Sequence, residues 1–286
     1  MPKIPITVIL GPTASGKTGL SIKLAKKING EIISADSRQV YRGLDLGTGK
    51  ITKKEMFGIK HYLLDVADPK KVFSVIDYVE LANKAIVEIH NRGKTPIIVG
   101  GTGFYIQALV DGLILPEVPP NTELRKDLTK KSLSELQEIL KKLDEKRYIT
   151  IDKNNPHRLI RAIEIATTLG EVPKLQKNSK YDPTFIGIEI SMDELRKKIH
   201  TRLISRIEAG MIDEVKKLHK EGLSWKRMEQ LGLEYRYLSR FLQNKITKEE
   251  MLTELETAIC QYAKRQMTWF KRDKRIKWLN PEVAPQ

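Results

Sequence analysis

The chain has 286 residues, 40% hydrophobic and 30% charged, which suffices for one large domain or a core carrying a smaller insertion. Its 51 Lys and Arg outweigh 36 Asp and Glu by a formal +15, so it either meets a polyanion (nucleic acid or an anionic membrane surface) or carries a Lys-rich surface serving solubility or heat tolerance. A single cysteine, Cys260, excludes an intramolecular disulfide and a cysteine-based zinc site.

Residues 1–4 lead straight into strand-like sequence, and no apolar run approaches membrane-spanning length. The expectation is a soluble, cytoplasmic protein with no membrane span. The apolar run at residues 6–10 reads as a strand. It is followed by Gly11, Pro12, Thr13, Ala14, Ser15, Gly16, Lys17 and Thr18, which fit G-x-x-x-x-G-K-[ST] at every fixed position, and then by helix-like sequence. In that context successive backbone N–H groups and a helix N-terminus converge on one phosphate-sized anion. Lys17 would reach the outer phosphate oxygens and the Thr18 hydroxyl would ligate Mg²⁺.

Residues 31–34 read as a second buried strand that delivers Asp36 to the same crevice, outside the carboxyl ends of the strands. A Gly-rich loop at residues 44–50 precedes a third strand, expected over residues 61–66. Ser74 reads as the N-cap of a crossover helix. The apolar strand at residues 95–100 ends in Gly100, Gly101, Thr102 and Gly103, where many P-loop NTPases carry an acid that holds Mg²⁺ and an attacking water.

From about Pro116 the sequence turns Lys-rich and helical, with Ser132 as one cap and Pro156 in the first turn of another helix. Strand sequence resumes only near residue 184. These patterns predict an α/β fold: a P-loop NTPase-like parallel sheet flanked by helices over residues 1–116 and 184–286, with an all-helical insertion domain over 117–183. Beyond it, Arg202 and Arg206 lie one turn apart on a basic helix. Such like charges repel unless a carboxylate or a phosphate lies between them. The last long helix, residues 248–270, ends in cations interleaved with aromatics, which suits phosphate contacts plus base stacking or a solvated helix end whose aromatics plug the core.

Five stretches together resemble the tRNA dimethylallyltransferases, the IPP transferase family: residues 11–18, Asp36 through Tyr41, Gly100 through Tyr105, Asn155 through Ala162, and Lys264 through Phe270. The resemblance runs in order along nearly the whole chain. It implies transfer of a dimethylallyl group from dimethylallyl diphosphate to N6 of the adenosine just 3′ of a tRNA anticodon, with Mg²⁺, by a monomer. Asp36 would be the catalytic base and Thr102 would hydrogen-bond near the reacting centre. Residues 11–18 would hold the diphosphate together with Arg206, Arg202 being the alternative. The tRNA would meet Asp36, Ser37, Arg38, Gln39, Thr102, Arg125, His157, Arg158, Leu159, Ile160 and Arg161, and then Lys264, Arg265, Gln266, Met267, Thr268, Trp269, Phe270 and Lys271. The insertion would embrace the anticodon stem. The chain departs from the family pattern at Gly232, Leu233, Glu234 and Tyr235, where a tyrosine usually follows the glycine, and at His157, where Arg or Gln is common.

Three other readings compete. A small-molecule P-loop kinase explains Asp36 and a helical lid but leaves the +15 charge and the basic tail unused. A nucleic-acid-binding P-loop NTPase explains the charge but lacks the strand-end acid. A transferase acting on free adenine nucleotides needs no such basic surface.

Overall fold

A computed structural model describes residues 2–280 and divides the chain into two compact units. The larger comprises the chain up to Gly112 and from Ser179 on; the smaller is Leu113–Asn178. The larger unit opens with β1 (Ile4–Leu10), α1 (Lys17–Lys27), β2 (Gly30–Ala35) and β3 (His61–Tyr62). It continues through α2 (Val75–Asn91), β4 (Thr95–Gly100) and α3 (Gly103–Val110).

The smaller unit holds β5 (Leu113–Ile114), α4 (Thr122–Leu128), α5 (Leu133–Leu143), α6 (Glu145–Thr150), α7 (Pro156–Leu169) and β6 (Gln176–Lys177). The chain then re-enters the larger unit with β7 (Tyr181–Ile188), α8 (Met192–Glu208), α9 (Met211–Lys220), α10 (Trp225–Leu231), α11 (Leu233–Leu242), α12 (Lys248–Phe270) and β8 (Lys277–Leu279).

The main sheet runs β3-β2-β4-β1-β7-β8 with every pairing parallel. Its strands are apolar on both faces because both are covered. Val8, Leu10, Ile33 and Ile98 point to the side that α2 and α3 close with Tyr78, Ile86, Ile106 and Leu109. Their neighbours Ile9, Ile32 and Ile97 point to the side that Ile22 and Ala25 of α1 close. This period of two is the alternation that a pleated strand imposes. A second core, built from Leu195, Leu203, Val215, Met228, Leu238 and Leu255 among others, packs α8 through α12 together.

Ser74 caps α2 in a reciprocal box with Asp77, and Ser132 does the same for α5 with Glu135. Pro156 stands at the start of α7. Two expectations need correction, and one strand is an addition to them. The third strand stops after Tyr62, because Leu63 (φ 62°) and Asp65 (φ 57°) take left-handed backbone that no strand can continue through. The smaller unit is not purely helical: β5 and β6 pair antiparallel where the chain leaves and returns. The chain after α12 forms β8 on the sheet edge, a strand too short to be read from its sequence.

The smaller unit has its own core of Leu128, Leu136, Leu140, Leu159, Ile160 and Ile163. Glu164, fully buried, accepts from Arg125 Nε (2.8 Å) and Nη2 (2.7 Å), from the backbone N–H of Asn121 (2.6 Å) and from Arg161. Burial alone would raise its pKa; these donors hold it below the ordinary carboxylate value.

Candidate active site

The loop between β1 and α1 needs unusual backbone: Ala14 (φ 60°) and Gly16 (φ 87°) are left-handed, and a Cβ on Gly11 would lie 3.1 Å from Ser15 Oγ. The result is a concave run of amides opening onto the first turn of α1. It lines a cleft of about 560 Å³ together with Asp36, Gln39, Gly49, Gly100, Gly101, Lys198, Arg202, Arg206, Tyr262 and Gln266. The cleft lies wholly within the larger unit.

Among the described residues, five cations line it: Lys50, taken up by Asp45 and Asp65, Lys198, and three more beside the phosphate loop. Lys17 turns its Nζ back to the carbonyls of Gly11 (3.0 Å) and Pro12 (2.6 Å). Burial strips its ammonium of water and Arg202 repels it, so its pKa falls from 10.5 to about 7 against the pull of Asp36. Arg202 falls to about 10, through burial first and repulsion by Arg206 second. Arg206 is lowered by burial as well, and its Nη2 is buried without a hydrogen-bond partner. Among the described residues the carboxylate paired with it is Glu234, 3.5 Å from Nη1, with both side chains 14% exposed. The carboxylate and phosphate readings of the arginine pair are therefore compatible: Glu234 meets one guanidinium, and both arginines line the cleft.

Gly49 explains how the arginines fit. Its φ is 58°, and a Cβ there would lie 1.5 Å from Arg206 Nη2 and 2.1 Å from Arg202 Nη2. Its carbonyl accepts from Arg202 (3.4 Å) and from Gln39 Nε2 (3.3 Å). The loop that carries it is held by Glu214 of α9, whose carboxylate accepts from the backbone N–H groups of Asp45, Leu46 and Gly47 and from the Tyr235 hydroxyl.

Asp36 sits immediately past the end of β2. Its Oδ1 accepts from the backbone N–H of Arg38 (2.8 Å) and of Gln39 (3.3 Å), which fixes the carboxylate in a turn at the cleft. Thr102 Oγ1 accepts from the Ser37 N–H at 3.0 Å, tying the end of β4 to the same turn. Tyr262 of α12 lines the same cleft; burial, then the charge of Asp36, push its pKa up to about 12, so it stays a neutral phenol. Gly100 is a glycine because β2 and β4 converge: a Cβ would meet the Ala35 carbonyl oxygen at 2.2 Å. An acid at that strand end has no room.

Several residues expected on an RNA surface have other employment. Gln266 is buried and spans two loops, accepting from the Thr13 N–H (2.8 Å) and donating to the Gly101 carbonyl (2.8 Å). Phe270, Leu159 and Ile160 are core side chains. Arg125 and Arg161 spend their guanidiniums on Glu164. Arg38 donates through Nε to the Leu231 carbonyl (2.7 Å). His157 and Arg158 are exposed at the start of α7, and Lys264, Arg265, Thr268 and Lys271 are exposed on and just beyond α12. Met267 is half-buried, as is Trp269, which packs so closely on Gly103 that a Cβ there would lie 2.3 Å from its ring.

Sequence alone does not mark Tyr262, Glu214 or Glu234 as site residues. Each comes from a helix far along the chain; Glu234 is marked only as part of an unusual stretch at residues 232–235, not as the partner of an arginine. Among the described residues no helix is long and apolar enough to cross a membrane, and no group of three or more His, Cys, Asp or Glu could hold a metal.

A sequence model described as IPP transferase matches residues 39–273. The protein of Treponema denticola named tRNA dimethylallyltransferase 2 is 46% identical over 271 residues, covering 93% of this chain and 91% of that protein. The protein of Syntrophus aciditrophicus named tRNA dimethylallyltransferase 1 is 44% identical over 275 residues, covering 94% and 90%. Among solved structures, the tRNA isopentenylpyrophosphate transferase of Bacillus halodurans superposes with a TM-score of 0.74 at 38% identity, over 97% of this chain and 90% of that one. A eukaryotic dimethylallyltransferase acting on tRNA superposes with a TM-score of 0.81 at 27% identity, over 98% and 75%. Likeness of sequence and fold over nearly the full length places the chain in the IPP transferase family, that of the tRNA dimethylallyltransferases.

Proposed function

We propose that this protein transfers a dimethylallyl group from dimethylallyl diphosphate to N6 of the adenosine immediately 3′ of a tRNA anticodon, releasing diphosphate. The observation that carries the proposal is the pairing, in one cleft, of a phosphate loop and the cations Lys17, Arg202 and Arg206 with the carboxylate of Asp36, held by backbone amides, while glycines stand at the strand end where an NTPase carries its acid. Such a site suits departure of a diphosphate better than hydrolysis.

The exocyclic adenine amine is a weak nucleophile, because its lone pair is delocalised into the ring. Asp36 would orient it and accept its proton as the N6–C1 bond forms and the C1–O bond to diphosphate breaks. Thr102, tied to the Asp36 turn through the Ser37 N–H, would hydrogen-bond near the reacting centre. Charge developing on the leaving oxygens would be met by the amides of residues 11–18 and by Lys17, Arg202 and Arg206. Two buried polar atoms without partners, Ser15 Oγ and Arg206 Nη2, fit a cradle shaped for an anion and its cation.

Mg²⁺ suits this donor set, since it is commonly held by one hydroxyl, substrate phosphates and water rather than by a protein cage. It would be held by Thr18 and would add Lewis-acid stabilisation of the diphosphate. The target base would be drawn out of the anticodon stack at a cost of a few kcal/mol. The exposed cations Lys264, Arg265 and Lys271 would meet RNA phosphates, as would His157 and Arg158, with the smaller unit on the anticodon stem. The protein is expected to act as a monomer in the cytoplasm.

The test mixes purified protein, Mg²⁺ and unmodified tRNA with labelled dimethylallyl diphosphate in one tube and labelled ATP in another. Label from the prenyl donor entering the RNA supports the reading. Consumption of ATP with unlabelled RNA would replace it by a kinase or NTPase reading.

A further inference from the structure

Glu234 has surroundings that a helix-end acid does not need. It is the second residue of α11, and the turn before it is forced: Gly232 has φ 76° and Leu233 has φ 38°, left-handed backbone that a leucine adopts only under strain. An acid in a first turn complements the helix dipole from a solvated position. Glu234 instead lies largely buried, 3.5 Å from Arg206 Nη1. The neighbouring Nη2 of Arg206 is buried against Gly49 with no partner, so Arg206 is held by its acid while one donor remains unspent. A carboxylate so placed does two things to an anion in the cleft. It fixes the guanidinium that would grip the anion, and in its ionised form, which burial disfavours and Arg206 favours, its charge opposes the anion's own.

We propose that Glu234 is a positioning residue that sets the grip of Arg206 on diphosphate, orienting the guanidinium while its negative charge keeps the leaving diphosphate from being held too tightly. This rests on the proposed diphosphate role of Arg206. The two effects separate in two variants. Glu234→Gln keeps the shape and removes the charge; Glu234→Asp keeps the charge and withdraws it by one methylene.

Titration calorimetry with inorganic pyrophosphate and Mg²⁺ is expected to show about tenfold tighter binding for Glu234→Gln, because an opposing charge within a few ångströms is gone. Glu234→Asp is expected to bind more weakly than wild type. In prenyl transfer, Glu234→Gln should lower KM for the donor and lower kcat through slower release, and Glu234→Asp should raise KM. Opposite movement of the two variants is what a merely structural acid would not give. Weakened binding in both variants, or no change in either, overturns the proposal. Should Glu234→Gln fail to fold, unchanged pyrophosphate binding by a folded Glu234→Asp overturns it alone. A wild-type protein that binds no pyrophosphate removes the diphosphate role of Arg206 itself, and this inference with it.

Discussion

At the scale of single residues, Lys17 shows how a phosphate cradle is kept ready. A lysine is ordinarily protonated to about pH 10, but burial and Arg202 bring this one down to about 7. Below pH 7 both folded and unfolded chains carry the proton. Between there and 10.5 the unfolded chain still carries it and the folded one does not, so folding stability rises with pH in that window. Relative to a Lys17→Met variant, wild-type protein is expected to gain up to about 1.4 kcal/mol per pH unit between about pH 7 and 9, measured by denaturant unfolding. Saturating pyrophosphate should flatten that slope, since an anion in the cradle returns the proton to Lys17. A slope that is equal in the variant would show that Lys17 is not the group responsible. Lys17 is also the residue most plainly legible in the sequence, because a phosphate loop must be contiguous and so leaves a contiguous motif. Asp36 is legible for a related reason: a strand end in a parallel sheet is a place where ligands collect.

At the scale of elements, what the sequence hides is what long-range packing supplies. The mostly apolar letters of residues 61–66 suggest a strand, yet left-handed backbone at Leu63 and Asp65 ends it after two residues. The stretch from Lys264 to Phe270 is legible as basic and aromatic, but its division of labour is not. Helical spacing sends Gln266, Ala263 and Phe270 inward and Lys264, Arg265 and Thr268 outward. Gln266 then ties α12 to both the phosphate loop and the β4–α3 turn. Gln266→Leu removes two amide hydrogen bonds and leaves the Thr13 N–H and the Gly101 carbonyl without those partners, which should cost about 1–3 kcal/mol of stability. It should also weaken pyrophosphate binding through the loosened loop, even though the side chain bonds only to protein backbone. Unaltered stability and affinity would mean that the loops hold their shape unaided.

At the scale of the whole molecule, the +15 charge and the exposed cations of α12 point to one polyanionic partner. Replacing Lys264, Arg265 and Lys271 by glutamine should weaken tRNA binding and reduce the slope of log affinity against log salt by about 0.7–0.9 for each phosphate no longer neutralised. Pyrophosphate binding should be unmoved. An unchanged salt slope would send the search for the RNA surface elsewhere. The two-unit organisation is visible in the change of texture near Pro116, though the units divide at Leu113 and Asn178 rather than at 117 and 183. A two-residue ribbon such as β5 with β6 leaves too little periodicity to be read.

The most direct measurement is nucleoside mass spectrometry of tRNA incubated with dimethylallyl diphosphate and either wild-type protein or Asp36→Ala. The expected result is N6-dimethylallyladenosine at the position just 3′ of the anticodon with wild type, formed at least ~10²-fold more slowly by the variant, as loss of a general base requires. A modified base elsewhere, or equal rates from both proteins, would contradict the assignment of this cleft and of Asp36.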